Sequence, residues 1–165
     1  MANKVTIQKL IDSNRKALLK YVIIADGSAT ANSNLITFSD LAYAINSTGQ
    51  ISNTNPRPSY SVTIRRVFGH SKMTSGFGIL GWQNDANSDI LSFSSGSFDY
   101  NMAATTGENA VIPSPEANTK GLVYTLVSPA ANDVITLFID LRKDSVSYDA
   151  GQTADPVAFN MAGIP

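Results

Sequence analysis

Side chains that could do chemistry are sparse in this sequence, and His70 is its only histidine. A hydrolytic triad needs a histidine as general base, so His70 would have to pair with Ser71, Ser75 or another of the many serines. A single histidine in a turn such as Gly69-His70-Ser71 is more often an ordinary solvated residue. We therefore predict no catalytic residue at this position.

Metal-binding patterns are also incomplete. The chain has no cysteine and no second histidine, so a zinc site would need carboxylates for its other ligands. The segment 85–89 (DANSD) resembles the start of a calcium loop, but Ile90 stands where an EF-hand has glycine and Gly96 where it has glutamate. A plain hairpin turn is the better interpretation, and a looser calcium site is the alternative. We predict no metal and no cofactor.

Other catalytic motifs are weaker still. Residues 13–16 (SNRK) match the pattern S-x-x-K without its companion motifs, and no phosphate-binding or dinucleotide-binding glycine pattern occurs. A glycosidase needs only two carboxylates that meet in space, which sequence spacing does not decide. The prediction is that the protein is not an enzyme, with a glycan-cleaving activity as the alternative left open.

The composition favours a protein that works against other subunits. Hydrophobic residues make up 43% of the 165 residues and charged residues only 15%, well below the roughly 25% of ordinary soluble domains. A surface of small neutral side chains does little to keep copies apart. The net charge of −1 gives no reason to expect nucleic acid or membrane as a partner. The N-terminus lacks a signal-peptide pattern, so we expect the chain to stay in the cytosol or to leave by lysis.

The element that organises the chain is predicted at Val134–Arg142. Its odd positions are all aliphatic, while its even positions become polar toward the end, a period of two that is typical of a central strand covered on one face. We expect it to pair across residues 128–133 with a strand at Leu122–Val127. A hairpin is predicted over residues 5–25, with a helix over Ile7–Ile24 as the alternative.

The remaining strands are short and are separated by turns rich in Gly, Asn, Ser and Pro. At Tyr60–Phe68 we expect Tyr60, Val62, Ile64 and Phe68 to share the buried face and Arg66 to need a carboxylate. In Phe77–Gln83 the glycines indicate a bulge or a close backbone approach. Further strands are predicted at residues 35–38, 89–93 and 98–100, with one helical turn over Leu41–Ile45. The fold class is therefore an all-β, antiparallel, jelly-roll-like β-sandwich.

Two segments are predicted to reach outward. Residues 101–120 form a long loop with one extended piece at Val111-Ile112, and loops of this length often contact something. The domain is predicted to cover residues 1–144, followed by an extended arm at 145–165. Four apolar side chains of the arm would be wasted in solvent, so the arm should pack on its own or a neighbouring subunit: Tyr148, Val157, Phe159 and Met161.

Taken in order, several segments resemble small structural proteins of tailed-bacteriophage virions, over about residues 16–144. They are KALLKYVIIADGSATAN (16–32), ITFSDLAYA (36–44), YSVTIRRVFG (60–69), GILGWQNDANSDIL (78–91), SGSFDY (95–100), VIPSP (111–115), LVYTLV (122–127) and DVITLFIDLRK (133–143). These are strand and turn patterns rather than catalytic signatures, and this chain departs from them in its longer tail after Arg142.

The resemblance implies a virion protein assembled in the host cytoplasm. The most specific expectation is an oligomeric capsid decoration (cement) protein that binds the major capsid lattice. One alternative is a neck, tail or baseplate component. Another is a carbohydrate-binding module for host attachment, in which aromatic residues would stack on sugars: Trp82, Tyr60, Tyr100, Tyr124 and Tyr148.

Overall fold

The computed structural model describes residues 2–84, 88–101, 112–113 and 118–149. Its regular secondary structure is strand throughout, apart from one 3₁₀ turn. The elements are β1 (Lys4–Asp12), β2 (Lys16–Asp26), β3 (Thr30–Thr37), a 3₁₀ turn (Phe38–Asp40), β4 (Val62–Lys72), β5 (Phe77–Gln83), β6 (Asp89–Phe93), β7 (Gly96–Asn101), β8 (Ile112–Pro113), β9 (Gly121–Val127) and β10 (Ala131–Lys143). No helix in the described residues is long and apolar enough to cross a membrane.

Two antiparallel sheets pack face to face, as the sequence predicts. The larger sheet has the order β1-β2-β10-β4-β7 with β8 beside β4, and the smaller has the order β3-β9-β5-β6. Four nested pairs recur across the two sheets: β2 with β10, β3 with β9, β4 with β7, and β5 with β6. This nesting is a long hairpin rolled into a sandwich, which is the jelly-roll arrangement.

The predicted organising strand is the centre of the larger sheet. β10 lies between β2 and β4, and its odd positions from Ile135 to Leu141 are fully buried. β2 alternates in the same way, with Leu19, Tyr21 and Ile23 fully buried. The first hairpin forms as predicted and the helical alternative does not, because the Ser13–Lys16 hydrogen bond closes a tight turn between β1 and β2.

The predicted pairing of Leu122–Val127 with the organising strand is wrong. β9 lies in the smaller sheet between β3 and β5, so the short connection to β10 crosses from one sheet to the other. Ser128 and Asn132 adopt left-handed backbone conformations there, which turn the chain sharply. Asp133 holds the crossing by accepting hydrogen bonds from the backbone N–H groups of Ala130 (2.7 Å) and Thr74 (2.8 Å).

The predicted face of β4 is correct only in its first half. The register against β10 shifts between Ile64 and Arg66, so the faces exchange beyond this bulge. Val67 therefore enters the core, and Phe68, which we expected there, lies half-buried on the outer face. The strand also continues to Lys72 through the region predicted as a turn.

Two local predictions near β3 are wrong, each for its own reason. The strand predicted at residues 35–38 begins earlier, at Thr30, because backbone pairing with β9 is enough to hold the polar residues 30–34 at a sheet edge. In place of the helical turn predicted at Leu41–Ile45, the structure has a 3₁₀ turn directly before it, at Phe38–Asp40. Tyr43 has a positive φ of 64°, which ends any helix there.

The glycines of β5 mark a bulge and the close approach of a side chain, where a bulge or a close backbone approach was predicted. The register against β6 shifts between Leu80 and Gly81. A Cβ on Gly78 would lie 2.4 Å from the ring of Phe93 on β6, so a larger residue there would displace that ring. Phe93 in turn stacks on Phe98 of β7, with ring centroids 5.2 Å apart. This stack joins the two sheets at one side of the sandwich.

The described beginning of the predicted arm lies within the sandwich. Tyr148 is fully buried, its ring centroid lies 5.8 Å from that of Tyr60, and its hydroxyl donates to the carbonyl of Phe38 at 3.1 Å. Residues 150–165 lie outside the described part, as do residues 102–111 and 114–117 of the predicted long loop. The extended piece expected in that loop corresponds to β8.

Candidate interaction surfaces

His70 and its predicted serine partners are separated by the strand geometry. His70 is exposed on the outer face of β4, while the neighbouring Ser71 points into the core, where its hydroxyl has no hydrogen-bond partner. Ser75 donates to the carbonyl of Ser128 in a turn. The side chain that does meet His70 is Ser97 of β7, with 3.1 Å between Nδ1 and Oγ. The sequence does not show that β4 pairs with β7, and it is this pairing that places Ser97 beside His70.

The predicted calcium-like loop closes as a hairpin between β5 and β6. The Asn84 amide donates to the Ser88 hydroxyl at 2.6 Å, and the N–H of Trp82 donates to the Ser88 carbonyl at 2.8 Å. Asp89 is exposed, and residues 85–87 lie outside the described part. Within the described ranges, no three histidine or acidic side chains are close enough to hold a metal ion.

Four of the five aromatic residues considered for sugar stacking are in the core. Trp82 is 3% exposed and meets Phe38 edge to face, with centroids 6.2 Å apart. Tyr60, Tyr124 and Tyr148 are also buried, and only Tyr100 presents part of its ring to solvent. A sugar cannot stack on a ring that lies between two sheets.

We expect the fluorescence of Trp82 to be shielded from iodide and to be unchanged by sugars. It is the only tryptophan, so the emission has a single source. The measurement compares iodide quenching of the folded protein, with and without a glycan panel, with quenching in concentrated urea. Equal quenching in the folded and unfolded states, or protection by a glycan, would contradict this burial.

The outer face of the larger sheet carries an aromatic and charged cluster. Phe68 and Phe138 stack with ring centroids 4.9 Å apart, and the Arg66 guanidinium lies 4.6 Å from the Phe68 centroid. Arg66 donates from Nε to Asp99 at 2.8 Å, which is the carboxylate partner that the sequence predicts for it. These hydrogen bonds hold the pKa of Asp99 below its usual range. The two rings and the guanidinium cover part of one another's apolar surface, and the charge of Arg66 is paired with Asp99.

A buried lysine joins three segments at one end of the sandwich. The side chain of Lys143 is fully buried and binds the Asp12 carboxylate, the Ser13 carbonyl (2.7 Å) and the Ala42 carbonyl (2.9 Å). Burial lowers the pKa of Lys143, and the hydrogen bond and charge of Asp12 oppose that shift. The same carboxylate accepts from the Ala42 N–H at 3.0 Å. The first hairpin is thereby tied to the segment after the 3₁₀ turn.

Exposed apolar side chains gather around this end. Eight large apolar side chains of the described residues are exposed, and five of them belong to segments joined here by hydrogen bonds. We call these five the end patch: Leu10, Ile11, Tyr43, Ile51 and Val146. The joining bonds run from the Asp149 N–H to the Tyr43 carbonyl, from the Ile45 N–H to the Ser147 carbonyl, and from the Ser52 N–H to the Ala44 carbonyl.

The end patch is unusual in its degree of exposure. Val146 is 67% exposed and Ile51 is 50% exposed, although both are aliphatic. A group of exposed apolar side chains at one end of a monomer often marks a site of contact with another protein. Sequence analysis missed this surface. The available signal was a single apolar residue inside each of two polar stretches, Ile51 and Val146.

Comparison of the chain with protein family models, with curated proteins and with solved structures gives no match.

Proposed function

We propose that this protein is a structural component of a tailed-phage particle, a capsid decoration (cement) protein that binds the major capsid lattice through the end patch. The observation that carries the proposal is the gathering of exposed aliphatic side chains at one end of a jelly roll. Each square ångström of apolar surface that a neighbour removes from water contributes about 25 cal/mol, which offsets the cost of fixing the two partners together. Such a role needs shape and burial rather than reactive groups.

The fold and the charge are compatible with this role. Jelly rolls occur in viral capsid proteins and also in lectins and enzymes, so the fold supports the proposal only by analogy. The charged fraction of 15% leaves few charges to remove from water when a surface is covered. In this proposal the protein is an oligomer in the virion, its partners are other virion proteins, and it assembles in the host cytoplasm.

We expect the purified protein to co-sediment with empty shells of the major capsid protein encoded with it. Ile51→Asp should weaken that binding about tenfold or more, since replacing a buried isoleucine by a charge loses at least about 1.5 kcal/mol. The matched control is Phe77→Asp, which changes an exposed apolar residue at the opposite end of the sandwich. The measurement is the bound fraction at increasing protein concentration.

Either of two outcomes would overturn the proposal. Wild-type protein that stays in the supernatant at every concentration would exclude decoration of that shell. Equal binding of the Ile51→Asp and wild-type proteins would remove the end patch from the contact. Light scattering and circular dichroism of each variant beforehand establish that the variants are folded and unaggregated.

A further inference from the structure

The outer edge of β1 is unpaired in the described structure. β1 pairs with β2 on one side, and no described strand lies on its other side. A bulge between Lys9 and Ile11 divides the strand, so its first half is regular and its second half belongs to the end patch. Exposed backbone N–H and C=O groups on a regular edge are a template for another strand.

The first half of β1 is also apolar on the face that continues the core. Val5 and Ile7 lie opposite Ile23 and Tyr21 of β2, both of which are fully buried. Ile7 is nevertheless 40% exposed, because the smaller sheet has fewer strands and does not cover this edge. A strand added beside β1 would cover the exposed part of Ile7 on that face.

We propose that Lys4–Gln8 pairs antiparallel with the same segment of a second copy, around a two-fold axis at Thr6. In this register Val5 of one copy lies opposite Ile7 of its partner, twice, so the apolar residues meet on the core-side face. On the outer face Thr6 meets Thr6, and Lys4 meets Gln8. Apolar residues then pair on the core-side face and polar residues pair on the outer face, and no two like charges lie opposite each other.

Neighbouring two-fold registers are worse. An axis at Ile7 would place Val5 opposite the ammonium-bearing Lys9, and Lys4 opposite Leu10 at the bulge. An axis at Val5 would place Ile7 opposite Asn3. Because residues on one face stay on that face in every two-fold register, the match of side chains selects the axis at Thr6.

Pairing with a second copy would also prevent further chains from adding to this edge. A two-fold contact uses the same edge of both copies, so this edge is closed once the pair has formed. The bulge and Lys9 end the regular pairing on either side of the axis. A contact of about five residues per copy is small, so the dimer should be in rapid exchange and dependent on concentration.

The experiment is oxidative cross-linking of a single-cysteine variant. The natural chain has no cysteine, so Thr6→Cys introduces the only thiol. Directly opposed residues in an antiparallel pair have Cα atoms about 4.5–5.5 Å apart, which a disulfide spans. We expect mild oxidation to convert most Thr6→Cys chains to a covalent dimer on a non-reducing gel. The control is Ser92→Cys, an exposed position on the edge strand β6.

A second measurement needs no cross-link. The mass of the wild-type protein by light scattering should rise toward twice the monomer with concentration, and Ile7→Lys should remain a monomer. Thr6→Cys that cross-links no more than Ser92→Cys would overturn the proposal. So would cross-linking that appears only after residues 150–165 are deleted, which would assign the edge to the chain's own C-terminal segment. The proposed dimer does not require capsid shells, so the cross-linking test and the co-sedimentation test can fail independently of each other.

Discussion

Deleting residues 145–165 is expected to lower the free energy of unfolding by about 4 kcal/mol, since removing a large buried aromatic side chain alone costs roughly 3–5 kcal/mol. Tyr148 is fully buried against Tyr60, and its hydroxyl has the Phe38 carbonyl as its acceptor. Ser147 is lost with it, and the Ser61 N–H then has no hydroxyl acceptor at 2.8 Å. Ser147 and Tyr148 therefore complete the core at this end of the sandwich.

The measurement is urea unfolding followed by the fluorescence of Trp82. Deletion of residues 150–165 is the matched control, because it leaves Ser147 and Tyr148 in place. Tyr148→Phe separates the ring from its hydroxyl and should cost only about 1 kcal/mol, the net value of one hydrogen bond. Equal midpoints for the two deletions would show that residues 145–149 are not part of the cooperative unit.

Asp12→Ala is expected to destabilise the protein by about 3 kcal/mol, the usual cost of removing one partner from a buried ion pair. The Lys143 side chain has no exposed surface, so its ammonium would keep two carbonyl acceptors but lose its counter-charge. In a domain of this size the loss corresponds to a fall in Tm of about 10 °C. Thermal unfolding and urea unfolding both measure it.

The pH dependence distinguishes a buried charge from lost packing. Burial lowers the pKa of Lys143, and Asp12 opposes that shift, so the substitution should lower this pKa further. The unfolded lysine keeps its proton up to about pH 10.4, so stability rises with pH between the folded and unfolded pKa values. The deficit of Asp12→Ala should therefore shrink as the pH rises above neutral.

The control for this substitution is Lys16→Ala. Lys16 forms an ion pair with Asp140 at 3.3 Å, but 41% of its side chain is exposed. Exposed pairs typically contribute less than about 1 kcal/mol. Similar losses for the two variants at neutral pH, or a deficit for Asp12→Ala that is independent of pH, would contradict the buried-charge explanation.

Period-two patterns predicted the strands because a strand that is buried on one face has apolar residues at every second position. The odd positions of β10 from Ile135 to Leu141 are all aliphatic, and all face the core. The same phase, carried one step further, places Lys143 inside. The charge of Lys143 argues against a buried position when only the sequence is known, because its partner Asp12 is 131 residues away.

Pairing between strands could not be read in the same way. β9 and β10 are both apolar and separated by a short connection, a pattern shared by a hairpin and by a crossing between two sheets. The turn geometry at Ser128 and Asn132 decides between them. A bulge had the same effect on Phe68, because one extra residue in β4 reverses every face beyond it.

The candidate surface was harder to predict than the fold. The end patch collects residues from β1, from the segment after the 3₁₀ turn and from the turn after β10, so no local pattern marks it. Trp82 and three tyrosines had the residue types of a sugar site, yet burial removes them from solvent. The sequence shows which types of side chain are present, but their burial and position follow from the order of the strands in the two sheets.

The nested pairing also sets the order in which the chain can be completed. The innermost pair, β5 with β6, is local, whereas β10 is the central strand of the larger sheet and follows every other described strand in the chain. The β1–β2 hairpin is synthesised before β10 and must wait for it before the free edge of β2 is paired. Folds dominated by such distant contacts fold slowly and expose apolar strands meanwhile. Folding of the larger sheet therefore waits until β10 has left the ribosome.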